Sequence, residues 1–251
     1  MNSRAFLLIP ALVCAATVPA VSAQTAGYTP MKIIQTETPI FPLRVNELGV
    51  TAGEARVTIS VDEKGKLTDA LVTAYSHPAF ADSAVAALKQ WRYEPAWVGG
   101  QPVGAIMDLT FNFERQGLVV VDMTVSSYVE MRNYQLRPSA YSYKVGTLQQ
   151  LDRIPTPTKV VRPLYPIEPS KPPQAASVTV NFFIDEKGHV RMPAVSRETS
   201  ESLGAFAAAA VEAVSQWEFE PPMSHGVPVL VAARQDFNFN PGPATPEALN
   251  D

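Results

Sequence analysis

The sequence predicts an α+β chain made of two tandem small ββαβ domains, each an antiparallel sheet packed against one helix. Two observations predict it. The first is an internal repeat: laid on itself with a shift of about 125 residues, the chain matches in one fixed order of segments. Pro39-Ile-Phe-Pro42 recurs as Pro163-Leu-Tyr-Pro166, and Asp62-Glu-Lys-Gly65 as Asp185-Glu-Lys-Gly188. Trp91-Arg-Tyr-Glu-Pro95 recurs as Trp217-Glu-Phe-Glu-Pro221, Gly100-Gln-Pro-Val103 as Gly226-Val-Pro-Val229, and Phe111-Asn-Phe113 as Phe237-Asn-Phe239. The shift is 123 residues at the Asp-Glu-Lys-Gly turn and 126 from the helix onward, so the second copy carries three extra residues just before its helix. The second observation is that hydrophobic periodicity switches from 2 to 3.6 and back within each copy.

Taken in order, the chain opens with a short segment bearing Arg4, an apolar run from Ala5 to Val18, and small residues at Val21-Ser-Ala23. That is the layout of a secretory signal peptide, residues 1–23, with cleavage expected before Gln24 and delivery to the periplasm. Retained instead as an anchor, the same segment would place the chain in the inner membrane, facing the periplasm. Membrane association is expected only in that uncleaved case. The first domain, with a short lead-in, is assigned to residues 24–115. Val57, Ile59 and Val61 alternate with Arg56, Thr58 and Ser60, as in a half-buried strand. The Asp-Glu-Lys-Gly turn reverses the chain, Gly65 supplying a positive φ. A weaker strand follows over 66–73. Phe80, Ala84, Ala87, Leu88 and Trp91 then recur on one helical face, with Pro78 suited to the first turn and Pro95 a stop. Leu109, Phe111 and Phe113 alternate in the last strand.

Residues 116–155 form a connecting segment. Leu118–Val125 reads as a strand and 126–136 as a short helix, so the stretch either completes the first sheet or separates the domains. The second domain, 156–242, repeats the pattern. Val178, Val180, Phe182 and Ile184 alternate with Thr179, Asn181 and Phe183, and Gly188 sits at the turn. A weaker strand is expected over 189–196, and Phe206, Ala210, Ala213, Val214 and Trp217 restate the helix stripe. The expected structural core is Trp91, Tyr93, Phe111, Phe113, Trp217, Phe219, Phe237 and Phe239. Residues 243–251 read as a disordered tail.

Composition narrows the function classes. Net charge is −4, and loss of Arg4 with the leader makes it −5, so there is no basic stripe for nucleic acid. Cys14, the sole cysteine, lies in the leader, which excludes disulfides and thiolate metal sites from the mature chain. Bulky Val13 before it does not fit a lipidation site. The three histidines, at 77, 189 and 225, each adjoin a turn, and no third group marks a triad beside Ser76-His77. The acidic pairs Asp62-Glu63 and Asp185-Glu186 offer too few oxygens for calcium and read as solvated turn charge. No metal, cofactor or catalytic motif is expected.

The aromatic-Pro before the first strand, the Asp-x-x-Gly turn, the helix ending in Trp-x-aromatic-x-Pro, then Gly-x-Pro-Val and Phe-x-Phe together resemble the TonB C-terminal domain family. The resemblance covers 39–114 and 163–240. It implies a non-enzymatic protein that binds a protein or peptide partner, such as an outer-membrane receptor, by adding the partner as a strand to a sheet edge. By resemblance, the receptive edges are the last strands, 103–113 and 229–239, with Thr110, Asn112, Asp236 and Asn238 facing a partner. A membrane-anchored energy transducer remains an alternative, although the long Pro-rich arm of that class is missing: residues 24–40 extend at most about 60 Å. An envelope hydrolase is a third reading without a supporting motif.

Overall fold

The computed structural model describes residues 27–114, 119–124, 141–167, 172, 174–195 and 203–241, with the side chains of Asn46 and 119–124 left aside. The leader, the helix expected over 126–136 and the tail from 242 lie outside these residues.

In the first copy, β1 (Lys32–Gln35) is followed by β2 (Ala52–Val61), β3 (Leu67–Tyr75), α1 (Pro78–Leu88), β4 (Arg92–Glu94), β5 (Ala105–Glu114) and β6 (Val119–Thr124). Two short pieces come next, β7 (Tyr143–Lys144) and β8 (Gly146–Thr147). The second copy comprises β9 (Pro157–Lys159), β10 (Ala176–Ile184), β11 (Val190–Val195), α2 (Gly204–Ser215), β12 (Glu218–Phe219) and β13 (Val231–Phe239). The principal sheets have the orders β7-β3-β2-β5-β6 and β8-β13-β10-β11, and β1·β4 and β9·β12 form small antiparallel pairs beside them.

Each helix covers one face of its own sheet because its apolar stripe and the inward strand residues bury each other. Phe80, Ala84, Leu88 and Trp91 join Val57, Ile59, Leu109, Phe111 and Phe113 in one core. Phe206, Ala210, Val214 and Trp217 join Val178, Val180, Phe182 and Phe239 in the other. The aromatic contacts repeat with nearly the same spacing. Phe41–Phe80 and Tyr165–Phe206 are both edge-on, at 5.5 and 5.4 Å, while Trp91–Phe111 and Trp217–Phe237 lie at 5.8 and 5.7 Å. Of the expected core, Trp91, Tyr93, Phe111, Phe113, Trp217 and Phe239 are buried, whereas Phe219 and Phe237 are half-buried.

The turns repeat atom for atom. The Asp62 carboxylate accepts the N–H groups of Lys64 and Lys66, and the Asp185 carboxylate those of Lys187 and His189. Gly65 and Gly188 have φ of 77° and 87°. A Cβ at either would sit 2.3 Å from the Tyr93 carbonyl oxygen or 1.9 Å from that of Phe219, so both the backbone and the space require glycine.

The two sheets meet through the faces that their helices leave bare. Leu71 of β3, Phe183 of β10, Met192 of β11 and Leu230 form a third buried cluster, with Ile106, Val145 and Ala232 packed against it. Phe183, expected on the outward side of its strand, is fully buried there, because the outward face of its sheet is covered by the other copy. The β10–β11 register shifts between Asn181 and Phe183, and Met192 adopts φ 48°. That bulge breaks the alternation, so the consecutive residues Arg191 and Met192 both face the first copy. Arg191 bonds both carboxylate oxygens of Asp69, with Nε to Oδ2 at 2.9 Å, and its Nη1 lies 3.5 Å from Asp185 Oδ2.

Candidate functional site

An unpaired strand edge is the one feature of such a fold that offers another chain a ready template. In the first copy, β5 offers no such edge from Asp108 to Phe113. Its inner side pairs with β2 along its whole length, and its outer side pairs antiparallel with β6 from Asp108↔Thr124 to Phe113↔Val119. This corrects the expectation of an edge over 103–113. Thr110 and Asn112 are half-buried in a central strand, opposite Arg56 and Glu54 on one side and Asp122 and Val120 on the other. Residues 119–124 of the connecting segment thus add a strand to the first sheet. The physical reason is local: the chain leaving β5 returns within four residues as an apolar β-prone run, and its nearest unpaired ladder is the one it has just left.

In the second copy, the counterpart strand β13 pairs with β10 from Ala176↔Phe239 to Ile184↔Val231. Its other side is met only at its start, where β8 lies parallel at Gly146↔Val231 and Thr147↔Ala232. From Ala233 to Phe239 the outer side has no ladder partner among the described residues. Gly146 N–H donates to the Leu230 carbonyl, 3.3 Å. Because strand groups alternate in direction, the main-chain N–H groups of Arg234, Asp236 and Asn238 point to that same open side. All three side chains are exposed. Asp236 stands opposite Thr179, whose hydroxyl donates to its carboxylate at 2.6 Å, and Asn238 stands opposite Ser177. The Gln235 side-chain amide donates to the Asp236 carbonyl at 2.9 Å, holding that edge acceptor.

Sequence reasoning missed β7 and β8. Tyr143 and Lys144 pair antiparallel with Tyr75 and Ala74, and after Val145 the chain joins β13, so four strand residues bridge both sheets. The Tyr143 ring stacks on Tyr75 with centroids 5.0 Å apart. Burial first, then the charges of Glu186 and Tyr75, pushes its phenol up to about 12. A two-residue strand has no detectable period, and only its aromatic residue hinted at burial.

The histidines have structural positions. His77 caps α1, its Nδ1 accepting the Ala79 N–H at 3.2 Å. His225 lies in a tight turn at φ 52°, and its N–H donates to the Asp152 carboxylate at 2.8 Å.

Two small α+β domains repeat one architecture, the last strand enclosed in the first copy and, among the described residues, open on one side in the second. The chain belongs to the family described as Gram-negative bacterial TonB protein C-terminal, whose model matches residues 38–115 and 161–241. No curated protein matches the chain. Among the described residues, no helix is long and apolar enough to cross a membrane.

Proposed function

We propose that the chain is a non-enzymatic periplasmic protein, exported through its cleaved leader, that binds a protein or peptide partner by strand addition at the second copy. The single observation that carries this reading is the outer side of β13 over 233–239, with the N–H groups of Arg234, Asp236 and Asn238 aimed outward. Main-chain hydrogen bonds supply the affinity in such a mode, and side chains at alternate positions supply selectivity. In this reading Asp236 and Asn238 face the partner, whereas Thr110 and Asn112, in the enclosed strand, do not. An outer-membrane receptor peptide is the partner class that family membership suggests.

Asp236→Pro tests it. A proline there removes an outward N–H while sparing the ladder to β10, and edge strands tolerate proline. Asp236→Ala is the companion that keeps the N–H but loses the bond from Thr179. Crosslinked pull-down from envelope extracts should recover a partner with the parent and the alanine variant, and lose it with the proline variant. Equal recovery by all three contradicts the edge reading.

A further inference from the structure

The first copy holds a cleft of about 470 Å³ between the Asp-Glu-Lys-Gly turn and β4, lined by Leu67, Trp91 and Tyr93 and by three cations, Lys66, Lys89 and Arg92. All three cations are exposed. Lys66 lies in the field of Asp62, and neither Lys89 nor Arg92 forms an ion pair among the described residues. Across the strand pair, Arg92 faces uncharged Gln35.

The second copy is a built-in comparison, because the repeat maps these cations onto His189, Ser215 and Glu218. There the charge is reversed and then cancelled: Glu218 Oε1 lies 3.2 Å from Lys159 Nζ. The gap is also stitched, by Phe219 N–H donating to the Gly188 carbonyl at 2.8 Å and by a bridge between His189 and Glu218. The same framework thus presents three exposed cations in the first copy and an ion-paired glutamate in the second.

We propose that the first-copy cleft takes an acidic peptide segment of a partner protein, one apolar side chain entering against Leu67, Trp91 and Tyr93 while flanking carboxylates meet Lys66, Lys89 and Arg92. A bare inorganic anion would satisfy the cations and leave the apolar lining uncovered. A peptide supplies both features at once, and this site is separate from the β13 edge.

The probe is a fluorescent hexapeptide alternating Leu with paired Glu, against its Gln-for-Glu counterpart, titrated into the full chain by anisotropy. The acidic peptide should bind and the neutral one should not. Lys89→Gln with Arg92→Gln should weaken binding about tenfold, as expected for removing two solvent-facing charge contacts. Lys159→Gln in the second copy and Asp236→Pro at the β13 edge should leave it unchanged. Both replaced cations are exposed, and a thermal melt matching the parent verifies the fold. Equal binding of the two peptides, an unaffected double variant, or loss of binding on Asp236→Pro would overturn the proposal. So would binding of anionic phosphatidylglycerol vesicles, sensitive to the double variant, in place of the peptide.

Discussion

Each indole covers the end of its helix and also donates its N–H to the incoming chain: Trp91 to the Glu37 carbonyl and Trp217 to that of Val161, both at 2.7 Å. Truncation removes the packed ring and this bond together. Trp91→Ala or Trp217→Ala is expected to cost about 3–5 kcal/mol in chemical denaturation, the range for buried aromatic truncations. The turn aspartates give a second expectation. Hydrogen bonds from the Lys66 and Lys64 amides hold the Asp62 carboxyl below its ordinary range, and those from Gly226 and His225 do the same for Asp152. A lowered pKa stabilises the fold above the unfolded value near 3.8, and that contribution fades as pH falls through the folded value. Melting temperature measured from pH 6 downward should therefore drop less steeply in Asp62→Asn with Asp152→Asn than in the parent. The two indoles and Asp62 were legible in the sequence because they recur at fixed spacing, whereas Asp152 has no counterpart in the other copy. Phe183 was not legible: period-2 logic placed it outward beside Thr179 and Asn181, and only its aromatic character among polar neighbours hinted at a second covering surface.

At the scale of elements, the ββαβ order could be read because each change of period has a local cause. The Asp-x-x-Gly turn ends one strand and Pro78 opens α1, which closes at Leu88, so β4 and not Pro95, the stop expected from sequence, follows the helix. What could not be read was which side of a strand is covered. Position along β5 or β13 says nothing about the path of the next segment. The two last strands share their inward aromatics, Phe111 with Phe237 and Phe113 with Phe239, yet β5 is enclosed from Asp108 to Phe113 while β13, among the described residues, is open from Ala233 onward. The apolar run beginning at Leu118 was the available signal, since a β-prone segment that follows a strand within a few residues pairs with it far more often than it stands alone. The small pairs β1·β4 and β9·β12 likewise follow from contacts set by the folded core rather than from any periodicity of their own.

For the molecule as a whole, the copies are joined by an apolar patch, an ion pair and a shared connector, none of which leaves a periodic trace in sequence. Asp69 and Arg191 are 122 residues apart in the chain. Phe183→Ala opens a cavity between the sheets without touching either helix-covered core, at a cost of about 3–5 kcal/mol. Its unfolding should separate into two transitions, followed by the fluorescence of Trp91 and Trp217 in single-tryptophan backgrounds, where the parent shows one. The same coupling fixes β8 on the first two residues of β13 and so sets where its open edge begins. One edge is closed by the chain itself and its counterpart, among the described residues, is left open, and backbone amide hydrogen exchange on the free protein distinguishes the two. The repeat maps the outward N–H groups Arg234, Asp236 and Asn238 onto Asp108, Thr110 and Asn112. The first set should exchange rapidly, and the second should be protected to the level of the β2–β5 ladder. Equal protection of both sets, or rapid exchange at Asp108, Thr110 and Asn112, would mean that the two last strands do not differ in this way.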